Sequence, residues 1–302
     1  MTTLPEVRVG DPIRHEALTV FPLFSPTEGV AEYLLSDEAI AAGSVTVEEV
    51  SEGGSVPTLL VVNTGASRVL FLEGEELKGA KQNRVLNTSV LVAAGSRTPI
   101  PVSCVEQGRW RYRGKHFSSG GSHSSSKLRH LLKRSVGESL RAGHGHTSDQ
   151  GAVWGEVSRQ MGSLGSTSET AAMSDTYERH QGRLEEFRER LKYVENASGM
   201  AVAVGPLVVA VDVFDRPSTC GKVWDRLLSG VVMDALESGT PGRVAEAADV
   251  EGLLSRLRAA AWEPAPAVGE GQEYRSDAVP TAHASSLALG DWVLHGSIMV
   301  ES

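Results

Sequence analysis

"RVLFLEGEELKGAKQNRVLNTSVLVAA", residues 68–94, decides how the chain is read. Short Val- and Leu-rich runs alternate with polar clusters carrying Gly, Lys, Asn and Ser, the texture of strands joined by turns. The same texture continues on both sides, in "LTVFPLF", "SVTVEEVS" and "TLLVVNT" before it and "IPVSCVE" after it. Residues 16–115 are therefore β-rich. No segment between these runs is long enough for a crossover helix, so antiparallel pairing in a β-sandwich or barrel-like sheet is expected.

Beyond residue 115 the texture changes. "HFSSGGSHSSSK", 116–127, reads as a Ser/Gly-rich loop. It feeds a helix in which Leu128, Leu131, Leu132, Val136 and Leu140 recur at helical spacing. The helical middle, 124–197, holds a further helix near 150–163 and a longer one over about 172–195. In the latter, Met173, Tyr177, His180, Leu184, Phe187, Leu191 and Val194 form one stripe, with His180 read as a packing residue. A hairpin at 199–215 precedes helices over about 218–237 and 249–261, the first opened by Pro217. "EPAPAVGEG", 263–271, reads as a linker or long loop, and strands within 270–301 return to the sheet. The expectation is a single α+β domain spanning 1–302.

Composition narrows the function classes. Of 302 residues, 40% are hydrophobic and 22% charged, ordinary for a globular protein with a sizeable core. No apolar run approaches a membrane helix, and the N-terminus lacks the pattern of a signal peptide. Two cysteines, Cys104 and Cys220, argue against a disulfide framework and for a cytoplasmic location. The net charge of −9 conceals a basic segment: residues 109–141 carry nine Lys or Arg against Glu138 alone, leaving −17 elsewhere. That distribution opposes a nucleic-acid footprint and suits a compact anion, unless those cations pair with acids elsewhere in the fold.

"PVSCVEQGRWRYRG", 101–114, places Val102, Cys104 and Glu106 on one face of a strand. After a Gln107-Gly108 turn, Arg109, Arg111 and Arg113 would oppose Trp110 and Tyr112. A cysteine-phosphatase loop is excluded. It needs five residues between cysteine and arginine, whereas Cys104 and Arg109 are separated by four, with Glu106 inside to repel an anion. Cys104 is nonetheless a candidate nucleophile, with His116 within geometric reach, although inert packing is the ordinary state of such a thiol. Glu75, Gln82, Asn83 and Arg84 supply more hydrogen-bonding capacity than a turn needs, although a solvated hairpin carries such charge routinely. Glu75 and Glu106 are candidates for acid/base work, or for holding a divalent cation such as Mg²⁺. Asp212, in the apolar strand "VVAVDVFD", is either a site residue or half of an ion pair. "GGSHSSSK" lacks the residues of a Walker motif, and its alternatives are a phosphate-binding helix start or a linker. The short spacings of His144, His146 and Asp149 arise readily by chance, and no metal site is assigned.

The blocks "LTVFPLF", "LEGEELKGAKQNRVLNTSVLV", "IPVSCVEQGRWRY", "SDQGAVW" and "VDVFDRP" together resemble the ARG and rhodanese-phosphatase-superfamily-associated protein domain family. The resemblance runs in consistent order from about residue 15 to about 240. The family is named for gene association with ADP-ribosylglycohydrolases and rhodanese-like phosphatases, which implies a role in NAD or ADP-ribose metabolism. Carried onto this sequence, its motif positions are Glu75, Gln82, Asn83, Arg84, Ser103, Cys104, Glu106, Arg109, Trp110, Gln150, Trp154 and Asp212.

Two functional expectations follow. The first is binding, with or without hydrolysis, of an ADP-ribose-like or other phosphorylated nucleotide. Arg84 and Arg109 would clamp the phosphates, Trp110 would stack a base, and Glu75 or Glu106 would hold ribose hydroxyls or activate water. The second is a non-enzymatic scaffold that binds a partner protein, with the 173–194 stripe as an association surface, including self-association.

Overall fold

The computed structural model describes residues 3–239 and 242–302. Its described residues form seven helices and eighteen strands, an α+β fold as the sequence implies. Six strands close a barrel in the order Arg97–Cys104, Thr58–Asn63, Val45–Glu49, His116–His123, Glu75–Gly79, Arg84–Leu86. Alternate residues fill it: Val45, Val47, Leu59, Val61, Leu77, Leu86, Ile100, Val102 and Phe117 form one buried cluster.

A nine-stranded sheet lies beside the barrel. Its central pairings join Leu18–Phe24 to Gly199–Val204, then to Leu207–Phe214, then to Trp292–Val300, all antiparallel. The C-terminal strands thus return to the sheet of the hairpin and the first long strand, and not to the barrel. Leu18 and Val20 face the helices and barrel, while Phe21 and Leu23 pack with Val250, Leu253 and Leu257 of the helix Ala247–Ala259. Burial on both faces explains why "LTVFPLF" is continuously apolar. A third, three-stranded sheet holds the one parallel pair, Tyr33–Leu35 with Arg68–Phe71, reached after a long excursion through the helix Ser36–Ala41 and two barrel strands.

Four local expectations need correction. The Ser/Gly segment is the barrel strand His116–His123, with a register shift where Gly120 and Gly121 sit. A Cβ on Gly120 would stand 2.9 Å from the Glu76 side chain, so glycine is what lets the two strands close there. Residues 109–115 form no strand and no hairpin with 97–104, because the following strand pairs with Val45–Glu49 and Glu75–Gly79 instead. Within "EPAPAVGEG", Glu263–Ala265 is a short edge strand. The long helix over 172–195 is two, Met173–Arg179 and Gln181–Arg190, broken at His180. The His180 ring turns to the Leu164 carbonyl at 3.2 Å, a packing role. The stripe itself is buried, with Met173, Tyr177, Leu184, Phe187 and Leu191 in the main core, so it offers no surface for association.

Candidate functional site

The loop Ala80–Asn83 joins two barrel strands at one mouth of the barrel, and Arg84 begins the second of them. Directly across the ladder from Arg84 is Cys104, the last residue of its own strand. Glu106 and Arg109 follow and turn back under the loop. Arg109 has its donors engaged: Nε to Glu106 Oε1 at 2.8 Å, Nη2 to Glu106 Oε2 at 2.6 Å, and Nη1 to the carbonyls of Ala80 and Arg111 at 2.6 and 2.9 Å. Glu106 is equally occupied, accepting also from the Asn83 backbone N–H at 3.0 Å and the Thr170 hydroxyl at 2.9 Å. Burial would raise the Glu106 pKa, but Arg109 and the other donors bring it below the ordinary carboxylate value. A carboxylate so saturated is a poor proton acceptor, and this pair braces the loop.

Arg84 is different. It is fully buried, and its Nη1 donates to Gln82 Oε1 at 3.2 Å. Nε and Nη2, which share one edge of the guanidinium, have no hydrogen-bond partner among the described residues. Burial pushes the guanidinium pKa down, while Cys104 and Glu49 act in the opposite sense. The Cys104 thiol donates to Gln82 Oε1 at 3.1 Å, and burial raises its pKa in spite of Arg84 nearby. It is a neutral thiol and not an activated thiolate.

Gln150 and Trp154 reach this point from the helix Gln150–Ser163. Gln150 accepts from the Cys104 N–H at 2.8 Å and donates to the Cys104 carbonyl at 2.9 Å, doing for that peptide what a neighbouring strand would do. One turn on, the Trp154 indole N–H faces the same sulfur and opposes the rise that burial imposes on its pKa. Ser103 points the other way, to Asn87 Oδ1 at 2.5 Å and to the Ser148 hydroxyl. Outside lies Trp110, 50% exposed, with the Arg84 guanidinium 5.8 Å from its ring centroid and Lys81 Nζ at 5.1 Å.

Lys81, Arg84 and Arg109 are buried near the carboxyls of Glu49 and Glu106, and Glu76, also buried and interacting with Glu106, has its carboxyl pushed up to about 7 by burial. A buried guanidinium with one free donor edge is what an oxyanion would complete.

A scan of protein families finds the ARPP-1 domain, the ARG and Rhodanese-Phosphatase-superfamily-associated Protein domain, over residues 6–299. The chain belongs to the ARPP-1 family. The match extends well beyond the residues that carry the resemblance in sequence, and takes in the C-terminal strands. No curated protein and no solved structure matches the chain. Within this ARPP-1 domain, Gln82, Asn83, Arg84, Cys104, Glu106, Arg109, Trp110, Gln150 and Trp154 are brought together, and three candidates are not: Ser103, which turns to Asn87 and Ser148, and Asp212 and Glu75.

Asp212 sits in a separate interior network. Arg129 grips it with two bonds of 2.6 and 2.8 Å, and His295 Nε2 lies at 2.9 Å. Burial would raise its pKa, but Arg129 and His295 hold it well below the carboxylate range. The network continues to Glu73 and to Lys133, whose Nζ reaches Glu73, Ser285 and Ser297 within 2.7 Å. It ties the helix Ser126–Arg141 to the nine-stranded sheet and to the turn at Glu73 that leads into the barrel. Glu75 is elsewhere again, bonded to the Ser36 hydroxyl and 3.5 Å from Arg226, with burial raising its pKa.

Five of the nine cations in 109–141 are thereby committed to ion pairs: Arg109, Lys127, Arg129, Lys133 and Arg141. Four of these five pair with acids elsewhere in the fold, Glu73, Asp212, Glu237 and Asp277, so the basic segment is in part charge-neutralised. The helix start after "GGSHSSSK" is occupied as well, since Asp234 accepts from the Ser126 N–H at 2.7 Å. His146 pairs with Glu273 at 2.9 Å and Asp149 caps its helix, so that trio does not converge.

Sequence reasoning missed Glu49, Lys81 and Tyr112. Glu49 had a signal: in "VTVEE" it alternates onto the inward face of Val45 and Val47, a carboxylate where the pattern asks for an apolar residue.

Proposed function

We propose that this protein binds a small phosphorylated ligand of the nucleotide class, an ADP-ribose-like molecule, at the barrel mouth. The free Nε/Nη2 edge of Arg84 carries this reading. A buried guanidinium with an unused bidentate edge leaves donors unsatisfied at a cost of about 1–3 kcal/mol each, and a phosphoryl group matches that edge in shape and charge. Trp110, half exposed, lies over Arg84 at the entrance.

Recognition is supported over turnover. Glu106 is saturated, Cys104 is held as a thiol, and Asp212 and Glu75 belong to other networks. Arg109 acts on the ligand only by fixing the loop that presents Arg84. The two free, buried cysteines fit a reducing, cytoplasmic setting. No helix among the described residues is long and apolar enough to cross a membrane.

Thermal melts against phosphate, pyrophosphate, AMP, ADP and ADP-ribose, with and without Mg²⁺, test the proposal. A binder at about 100 times its dissociation constant adds about 2.7 kcal/mol of stability, a visible rise in Tm. Absence of a shift with every compound, in folded protein, would sink it.

A further inference from the structure

We infer that the pocket beside Tyr112 is the sugar subsite of the same ligand, and that Glu49 reads a vicinal ribose diol there. The inference rests on the anion-site reading of Arg84 and extends it from a phosphate to a ribonucleotide.

The pocket, about 530 Å³, is lined by Glu48, Glu49, Ser51, Glu52, Tyr112 and Lys115 among others. Glu49 is the decisive residue. It is 9% exposed, and its Oε1 accepts the Lys81 backbone N–H at 3.3 Å. Its Oε2 has no hydrogen-bond partner among the described residues. An ionised carboxylate oxygen is an acceptor only, so what completes it must bring an O–H or N–H.

Glu49, at the pocket, and Lys81 and Trp110, which lead to Arg84, come together around Gly54. A Cβ on Gly54 would lie 3.2 Å from Glu49 Oε2, 3.2 Å from the Lys81 side chain and 3.4 Å from Trp110. Gly54 has a φ of +73° and its bare backbone lets those three side chains meet. The Arg84 guanidinium and Lys81 Nζ lie 5.8 and 5.1 Å from the Trp110 ring centroid, and Lys81 Nζ lies 5.2 Å from the Tyr112 ring. A ligand with its phosphate on Arg84 therefore runs past Trp110 and Lys81 and puts its next group beside Glu49. Neighbouring hydroxyls answer a carboxylate of this kind, as ribose does in nucleotide sites generally. Tyr112, half exposed, gives the base a face to lie on.

Calorimetric titration of pyrophosphate, ADP and 2′-deoxy-ADP into the wild type, Glu49→Gln and Tyr112→Ala decides the matter. Glu49→Gln keeps a carbonyl oxygen for the Lys81 N–H, and Tyr112→Ala alters an exposed side chain. The wild type should bind ADP at least tenfold tighter than pyrophosphate and about tenfold tighter than 2′-deoxy-ADP. Glu49→Gln should bring the ADP to 2′-deoxy-ADP ratio within twofold of one, and Tyr112→Ala should weaken both nucleotides relative to pyrophosphate. If pyrophosphate binds but neither nucleotide binds more tightly, or if Glu49→Gln keeps the ribose preference, the sugar subsite is wrong. Failure of pyrophosphate to bind at all would overturn the Arg84 reading beneath it.

Discussion

Arg109 and Glu106 form a two-bond ion pair in which neither side chain reaches solvent, three residues apart in sequence and directly beneath the loop that carries Arg84. The pair is structural, and its removal should be felt as lost stability. Arg109→Ala leaves Glu106 buried without its counter-ion and frees the carbonyls of Ala80 and Arg111. Chemical denaturation should show a loss of about 3–5 kcal/mol. A loss below about 1 kcal/mol would mean that the loop does not depend on the pair.

Arg84 should behave in the opposite way. Its free edge is a cost to the unliganded fold, so Arg84→Met should leave stability unchanged or raise it by up to about 3 kcal/mol in urea titration. A large destabilisation would show that Arg84 holds the barrel mouth together.

The sequence made the strands, the hairpin and most helices legible, because period-2 and period-3.6 patterns survive wherever one face is buried. It misjudged 116–123, where serines and glycines on a strand look like a loop until Glu76 is seen packed against Gly120. It placed Arg84 and Arg109 in one clamp, since nothing local shows that Arg109 returns to Glu106 while Arg84 does not. The partners of Asp212, Arg129 and His295, lie 83 residues away on either side, and only the sheet order brings them together. The charge of 109–141 was visible, but its neutralisation by Glu73, Asp212, Glu237 and Asp277 is a tertiary fact.

Asp234 should give the fold a pH signature. Burial pushes its carboxyl up to about 7, above the value of an unfolded chain, so the folded state holds a proton that the unfolded state has lost. Its contribution is full below the unfolded value near 4 and drains away as pH rises towards 7. His123, which burial holds well below the usual histidine value, acts in the opposite sense, so the comparison must be between proteins. Asp234→Asn, still able to accept from Ser126, should gain on the wild type by up to about 1.4 kcal/mol per pH unit between pH 4 and 7. Parallel stability profiles would show that Asp234 is ionised in the fold.

Cys104 should be unreactive. With its sulfur buried and its pKa raised, iodoacetamide at pH 7.5 should label it far more slowly than a free thiol, and unfolding in urea should restore the normal rate. Rapid labelling of native protein would identify an activated thiolate and reopen a nucleophilic role.

The most direct test of the central claim is calorimetric titration of ADP-ribose into the wild type and Arg84→Met, with both confirmed as folded. The account predicts saturable binding to the wild type and at least a hundredfold weaker binding to a variant that melts no lower. Equal affinity in the two proteins would contradict it.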